Sequence, residues 1–213
     1  VVKEAVKLQS DGRQNIAIVV NRVATAREAH RLLQERFGAD DGQEPTADVE
    51  LAIGRMRPYD RDLLTRRIQK RVGNRHSADT DQASDESSQT RPLFVVATQC
   101  LEVGADFDFD AMVSECASLD ALRQRFGRLN RAGNHDDPAG AIIIRADQIL
   151  AEAKLATLER KGDVDDPIYG NALARTWNWL QDVARDGVVD FGVNAMNALV
   201  ADHDVMRLRP ATP

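Results

Sequence analysis

The chain has 213 residues, a formal net charge of −6 and an apolar fraction of 43%. That length and apolarity suit one α/β domain of ordinary size with an appendage. No apolar run approaches the roughly 18 residues of a membrane span, and no basic stretch followed by an apolar one stands at the start as a signal peptide would. Cys100 and Cys116 are the only cysteines; they lack a C-x-x-C partner or a histidine at ligand spacing, so free thiols in a reducing cytoplasm are expected. The first residue is Val1 and not Met, and a piece of a longer protein is expected. The charge is uneven. Acids gather at Asp40, Asp41, Glu44, Asp48 and Glu50. Bases follow at Arg55, Arg57, Arg61, Arg66, Arg67, Lys70, Arg71 and Arg75, and residues 79–86 are acidic again. A basic stretch on an acidic domain suits a phosphate backbone, and suits a solvated Arg-rich helix equally well.

Taken in chain order, Asn15–Asn21 is a short β-branched run that reads as a buried strand. Thr25–Phe37 carries Ala26, Ala29, Leu32, Leu33 and Phe37 at helical spacing, and Gly38 stops it. Val49–Ile53 is the next strand. Pro58 opens a helix at its first turn, with Leu63, Leu64, Ile68 and Val72 on its apolar face. Residues 73–91 hold almost nothing apolar and predict a mobile surface loop. Leu93–Ala97 and Phe109–Cys116 are strands, Ser118 caps the helix that follows, and Ala141–Ile144 is the last strand. Alternating strands and helices predict a mainly parallel sheet of about six strands covered on both faces. Past residue 146 the pattern turns helical, at Ile149–Glu159 and Ala172–Ala184.

The chemistry concentrates in Gln124-Arg125-Phe126-Gly127-Arg128-Leu129-Asn130-Arg131. On a helix, Leu119, Leu122, Phe126 and Leu129 would share one face, and Gln124, Arg128 and Arg131 would share the other. Guanidinium forks suit the charge that builds on a transferring γ-phosphate; periodicity alone fits a solvated basic helix better. Asp106, Asp108 and Asp110 alternate like a calcium loop, but Ala111 and Ala117 stand where that loop needs Gly and Glu, so an irregular strand beginning is expected. His30, His76, His135 and His203 are scattered, and no metal site is predicted. No G-x-x-x-x-G-K-[ST] occurs, so a complete ATP site is not expected here.

The string itself resembles the Q-R-x-G-R-x-x-R motif of superfamily 2 helicases. Upstream, Thr98-Gln99-Cys100-Leu101-Glu102-Val103-Gly104-Ala105-Asp106 resembles another motif of that superfamily. Ile16–Glu28, Leu51–Asp62, Leu101–Asp110 and Cys116–Arg131 are similar to motifs of the CRISPR-associated helicase-nuclease of type I systems. The likeness spans roughly residues 15–145. It implies a RecA-like α/β fold, with residues 1–145 as the second RecA-like domain and 146–213 as a helical extension. By this resemblance Arg128 and Arg131 are arginine fingers, with Gln124 orienting the γ-phosphate or its water. Gly104, Asp106 and Arg125 belong to the nucleotide side of the site: Gly104 lets the backbone come close at the domain interface, and Asp106 contacts the nucleotide ribose or the arginine-bearing helix. Asn21, Arg22, Arg55, Thr98 and Gln99 touch strand phosphates, which positions a strand without reading its sequence. The implied cofactor is ATP with Mg2+, most of whose site belongs to a first RecA-like domain absent from this sequence. The implied partners are single-stranded DNA, that domain and a nuclease domain of the same protein, and a CRISPR surveillance complex, in antiviral defence. A DNA-repair or RNA helicase of the same superfamily, or a non-catalytic RecA-like docking module, stays open.

Overall fold

The structure, a computed structural model, describes all residues except 40–41, 55, 73–90, 102–106, 132, 134–137, 146–165, 167 and 203–213. The expected loop at 73–91 falls almost wholly outside the described residues, and the expected helix at Ile149–Glu159 falls wholly outside them. In chain order the elements are α1 (Val2–Ser10), β1 (Asn15–Val19), α2 (Val23–Phe37), β2 (Asp48–Ala52), α3 (Pro58–Val72), β3 (Leu93–Ala97), β4 (Ala111–Glu115), α4 (Leu119–Phe126), β5 (Gly140–Ile144), α5 (Ala172–Val183) and α6 (Val193–Asp202). The chain divides into two compact units. The first holds Val1–Ser114 and Gly127–Ile142, the second Glu115–Phe126 and Ile143–Pro213.

The first unit is built on the sheet, whose strand order is β2-β3-β1-β4-β5. β1 pairs in parallel with β3 and β4, and β3 pairs in parallel with β2. Five strands are formed among the described residues, against the six or so expected. Ile16–Val19 and Leu93–Ala97 are buried along their whole length, as continuous apolar runs in a sheet covered on both faces should be. β2 lies to one side of β1 and β3 returns between them. Right-handed crossovers then put α2 and α3 on opposite faces. α2 turns Ala26, Ala29 and Leu33 inward, and Phe37 stacks on Phe94 with ring centroids 5.1 Å apart. α3 turns in Leu64, Ile68 and Val72. Leu32 and Leu63, expected on these inner faces, are 39% and 42% exposed; each sits at the margin of a stripe its neighbours fill. α1 packs on β1 and was not legible as a helix.

The second unit gathers around α4 and α5. Ser118 does cap α4: its hydroxyl accepts from Ala121 N–H at 3.4 Å. Phe126 meets Phe191 edge to face at 4.7 Å, and the Arg145 guanidinium lies over the Trp177 ring at 5.7 Å. Among the described residues no helix is long and apolar enough to cross a membrane.

Candidate functional site

Because β1, β3 and β2 are parallel, their following loops all leave from one edge of the sheet. The register makes this edge even: Val19 stands beside Ala97, and Ala97 beside Ala52. Val20 N–H donates to Ala97 O at 2.9 Å and Thr98 N–H to Ala52 O at 3.2 Å. With strands about 4.8 Å apart, the loops beginning at Val20, Ile53 and Thr98 emerge within roughly 10 Å of one another. Four of the five strand-contact candidates, Asn21, Arg22, Thr98 and Gln99, therefore share this edge; the fifth, Arg55, lies outside the described residues. Asn21 and Thr98 are nearly buried, at 6% and 5% exposure, and offer little more than a polar tip. Arg22 is exposed and sits at the cap position of α2 in extended conformation. Its side chain shares that end with the first N–H groups of the helix, which favour anions. Gln99 opens a single 3-10 turn, Gln99–Leu101, which the Cys100 thiol ties back to β2 by donating to Ala52 O at 3.0 Å.

The basic run of α3 is partly neutralised by the chain itself. Arg71 pairs with Asp48 at 2.5 Å, and Arg67 with Glu50 at 3.5 Å. Burial raises the Glu50 carboxyl above its ordinary range, against the pull of Arg67. These residues line a groove of about 650 Å³ along β2. The groove lies at the starting ends of β2 and β3, opposite the edge that carries Thr98, and four of its charges, Asp48, Glu50, Arg67 and Arg71, are engaged with one another.

The arginine string departs from the helix expected of it. α4 stops at Phe126, so Arg128 and Arg131 do not continue its polar face beside Gln124. Tertiary pairing wins over periodicity here. Leu129 forms a parallel bridge with Phe109, with Phe109 N–H donating to Arg128 O at 2.9 Å and Asn130 N–H to Phe109 O at 3.1 Å. Asn130 takes a left-handed φ of 40°, which ends any helix. The Asp108 carboxylate accepts from Arg131 N–H at 2.7 Å. Arg128 is half-buried and Arg131 exposed. The division between the two units falls within the string, after Phe126, so Gln124 and Arg125 belong to one unit and Arg128 and Arg131 to the other.

Gln124 is exposed on α4. Arg125 is set differently from a residue facing a nucleotide. It is 1% exposed, and its guanidinium donates to Glu115 O at 2.9 Å and to the Tyr169 hydroxyl at 2.9 Å. The place of Arg125 in the motif suggested a nucleotide contact; the fold uses it as a buried tie inside the second unit. Burial also pushes the nearby Cys116 thiol up to about 12. Gly104 and Asp106 lie outside the described residues.

Asp108 and Asp110 are the residues sequence reasoning passed over. The Asp110 carboxylate accepts from the backbone N–H of Gln14 at 3.0 Å and of Asn15 at 2.8 Å, fixing the start of β1. Their alternation with buried Phe107 and Phe109 was the available signal: period two puts rings on one side and carboxylates on the other. Among the described residues no group of three or more His, Cys, Asp or Glu could hold a metal ion.

Residues 12–134 match the protein family described as CRISPR-associated nuclease/helicase Cas3, C-terminal. The chain belongs to this family. A Cas3 nuclease/helicase of Methanothermobacter thermautotrophicus is 32% identical over 142 residues, which cover 66% of this chain and 14% of that protein. One from Streptococcus thermophilus is 31% identical over 128 residues, covering 60% and 12%. The chain thus spans a small part of these relatives. Among solved structures, T. fusca Cas3 with ATP superposes over 91% of this chain and 20% of its own, with a TM-score of 0.64 and 22% identity. A chain of a CRISPR RNA-guided surveillance complex before nicking superposes over 90% of this chain and 21% of its own, with a TM-score of 0.56 and 24% identity. At these identities the likeness establishes the fold, the α/β fold of the Cas3 RecA-like C-terminal domain.

Proposed function

We propose that the chain is the second RecA-like half of an ATP-dependent helicase motor within a CRISPR-associated nuclease/helicase acting in the cytoplasm. In this reading it closes against a first RecA-like domain around ATP and Mg2+, and closure moves the protein along single-stranded DNA. Arg128 and Arg131 reach the γ-phosphate, where planar guanidiniums stabilise the charge that develops during transfer. Gln124 orients the phosphate or the attacking water, and Gly104 and Asp106 meet the nucleotide. Asn21, Arg22, Arg55, Thr98 and Gln99 hold strand phosphates at the carboxyl edge of the sheet. The Mg2+ ligands and the phosphate loop are assigned to the first domain, because no phosphate-loop motif occurs in these 213 residues.

The observation that carries the reading is the family match over residues 12–134, which takes in both the Asn21–Thr98 edge and the Arg128–Arg131 turn. The T. fusca relatives solved with ATP, ADP and AMPPNP support the nucleotide, and the surveillance complex supports the partner. The test is ATP turnover stimulated by single-stranded DNA, measured on the natural protein that contains this chain. Arg128→Ala or Arg131→Ala lowers turnover by about 10³ to 10⁵ and leaves strand binding nearly intact. Strand binding itself weakens steeply with salt, as phosphate contacts require. Full turnover by either variant refutes the assignment.

A further inference from the structure

We propose that Asp108 is a positioning residue that sets the Arg131 side chain for phosphoryl transfer. The inference rests on the reading of Arg131 as an arginine finger, and it assigns a purpose to Asp108, the middle aspartate of the D-F-D-F-D run.

Phe107 and Phe109 are 5% and 0% exposed, with ring centroids 5.8 Å apart, and they anchor the strip in the core. With both rings turned inward, the intervening Asp108 faces the other way. Its carboxylate accepts from Arg131 N–H at 2.7 Å. Its own N–H donates to Val72 O, at the end of α3, at 2.6 Å. The backbone of Phe109 meanwhile holds Arg128 O and Asn130 N–H on either side of Leu129. Three consecutive attachments thus pin residues 128, 130 and 131 to one strip, anchored by its two buried rings. Asn130 between them is left-handed, a conformation uncommon for a residue other than glycine, so the turn that carries Arg131 depends on being held. Of the three attachments, only the one to Arg131 is made by a side chain, and it is charge-assisted. A guanidinium on a flexible stem is placed by the backbone it grows from, and a displacement of about 1 Å costs on the order of 10²-fold in rate.

The test measures kcat and KM for ATP at saturating single-stranded DNA in the natural protein, for Asp108→Ala, Asp108→Asn, Arg131→Ala and the double variant Asp108→Ala with Arg131→Ala. Asp108→Ala is expected to lower kcat on the order of 10²-fold with little change in KM. Asp108→Asn keeps an acceptor oxygen, and kcat recovers to within about tenfold of the natural protein. With Arg131 already removed, the Asp108 change costs nothing further, because its effect passes through that residue. Where Asp108→Ala does not fold, Asp108→Glu serves in its place: it keeps the charge, displaces the oxygens by one methylene, and is expected to lose kcat at an unchanged melting temperature. Full turnover by Asp108→Ala or Asp108→Glu overturns the proposal. So does a double variant whose loss is the product of the two single losses, and in that case the finger assignment survives. Full turnover by Arg131→Ala overturns both readings together.

Discussion

Truncating Arg125 to alanine should destabilise the second unit, whatever the motif it belongs to does in catalysis. The side chain is 1% exposed and donates to the Glu115 carbonyl and the Tyr169 hydroxyl, both at 2.9 Å. A hydrogen bond from a charged donor contributes about 1.5–3 kcal/mol, and a buried acceptor left without its donor bears much of its desolvation cost. Two such losses, with some relief from entering water, come to about 3–5 kcal/mol. For a chain of this size each kcal/mol moves the thermal midpoint by about 2–4 °C, so a fall of about 6–20 °C is expected. Arg125→Lys should recover little, since one ammonium cannot bridge two acceptors held by a planar fork. Tyr169→Phe removes one partner alone and should cost about 1–3 kcal/mol. Urea and thermal unfolding of the 213-residue chain measure all three. An Arg125→Ala variant that keeps its midpoint while the natural protein bearing it loses ATP turnover would refute the buried-tie account and return Arg125 to the nucleotide.

Other outcomes follow from the same description. The 213-residue chain alone should turn over no ATP, with or without single-stranded DNA, because it has no phosphate loop; steady turnover by pure chain would contradict this. Burial pushes the Cys116 thiol up to about 12, so around pH 8 it stays protonated and unreactive. A thiol reagent should therefore find at most Cys100 in the folded chain and both cysteines after unfolding; two fast equivalents before unfolding would count against the packing around Cys116. Burial also holds the His30 imidazole below its ordinary range, opposed by a bond to the Val49 backbone. As pH falls through about 6.5, the unfolded chain takes up a proton that the folded chain accepts only at lower pH. Stability should therefore decline on acidification across that window, and His30→Gln should flatten the slope; an unchanged slope would show that His30 is not its source.

Much of this fold could be read from apolar patterning. β3 was expected at Leu93–Ala97 and forms there, because a run of five buried residues bounded by Pro92 and Thr98 leaves no other register. β1 and β2 differ from expectation only at their ends. Where sequence reasoning failed, a long-range contact decided the outcome. Gly127 is a local stop signal directly after Phe126, one that the apolar spacing on to Leu129 hid, but nothing local says what takes the chain up next; the backbone of Phe109 captures Arg128 and Asn130 there. Nothing local separates Arg125 from Arg128 and Arg131 in the motif either, since the distinction lies with Tyr169, more than forty residues away. The edge that collects Asn21, Arg22, Thr98 and Gln99 followed from parallel topology alone. The service of Asp108 and Asp110 as acceptors for backbone N–H groups did not, because their partners at Arg131 and at Gln14 and Asn15 are distant in sequence.

The central claim is that a nucleotide bound by a first RecA-like domain meets Arg128 and Arg131 of this one in the transition state. Affinity for ADP with aluminium fluoride, a mimic of the transferring phosphoryl group, measured beside affinity for ATP in the natural protein, tests it most directly. Groups that act in the transition state bind its analogues 10²-fold or more tighter than they bind the ground state. The account predicts that Arg128→Ala combined with Arg131→Ala loses at least about a hundredfold in affinity for the analogue while affinity for ATP changes little. An unchanged affinity for the analogue would contradict it.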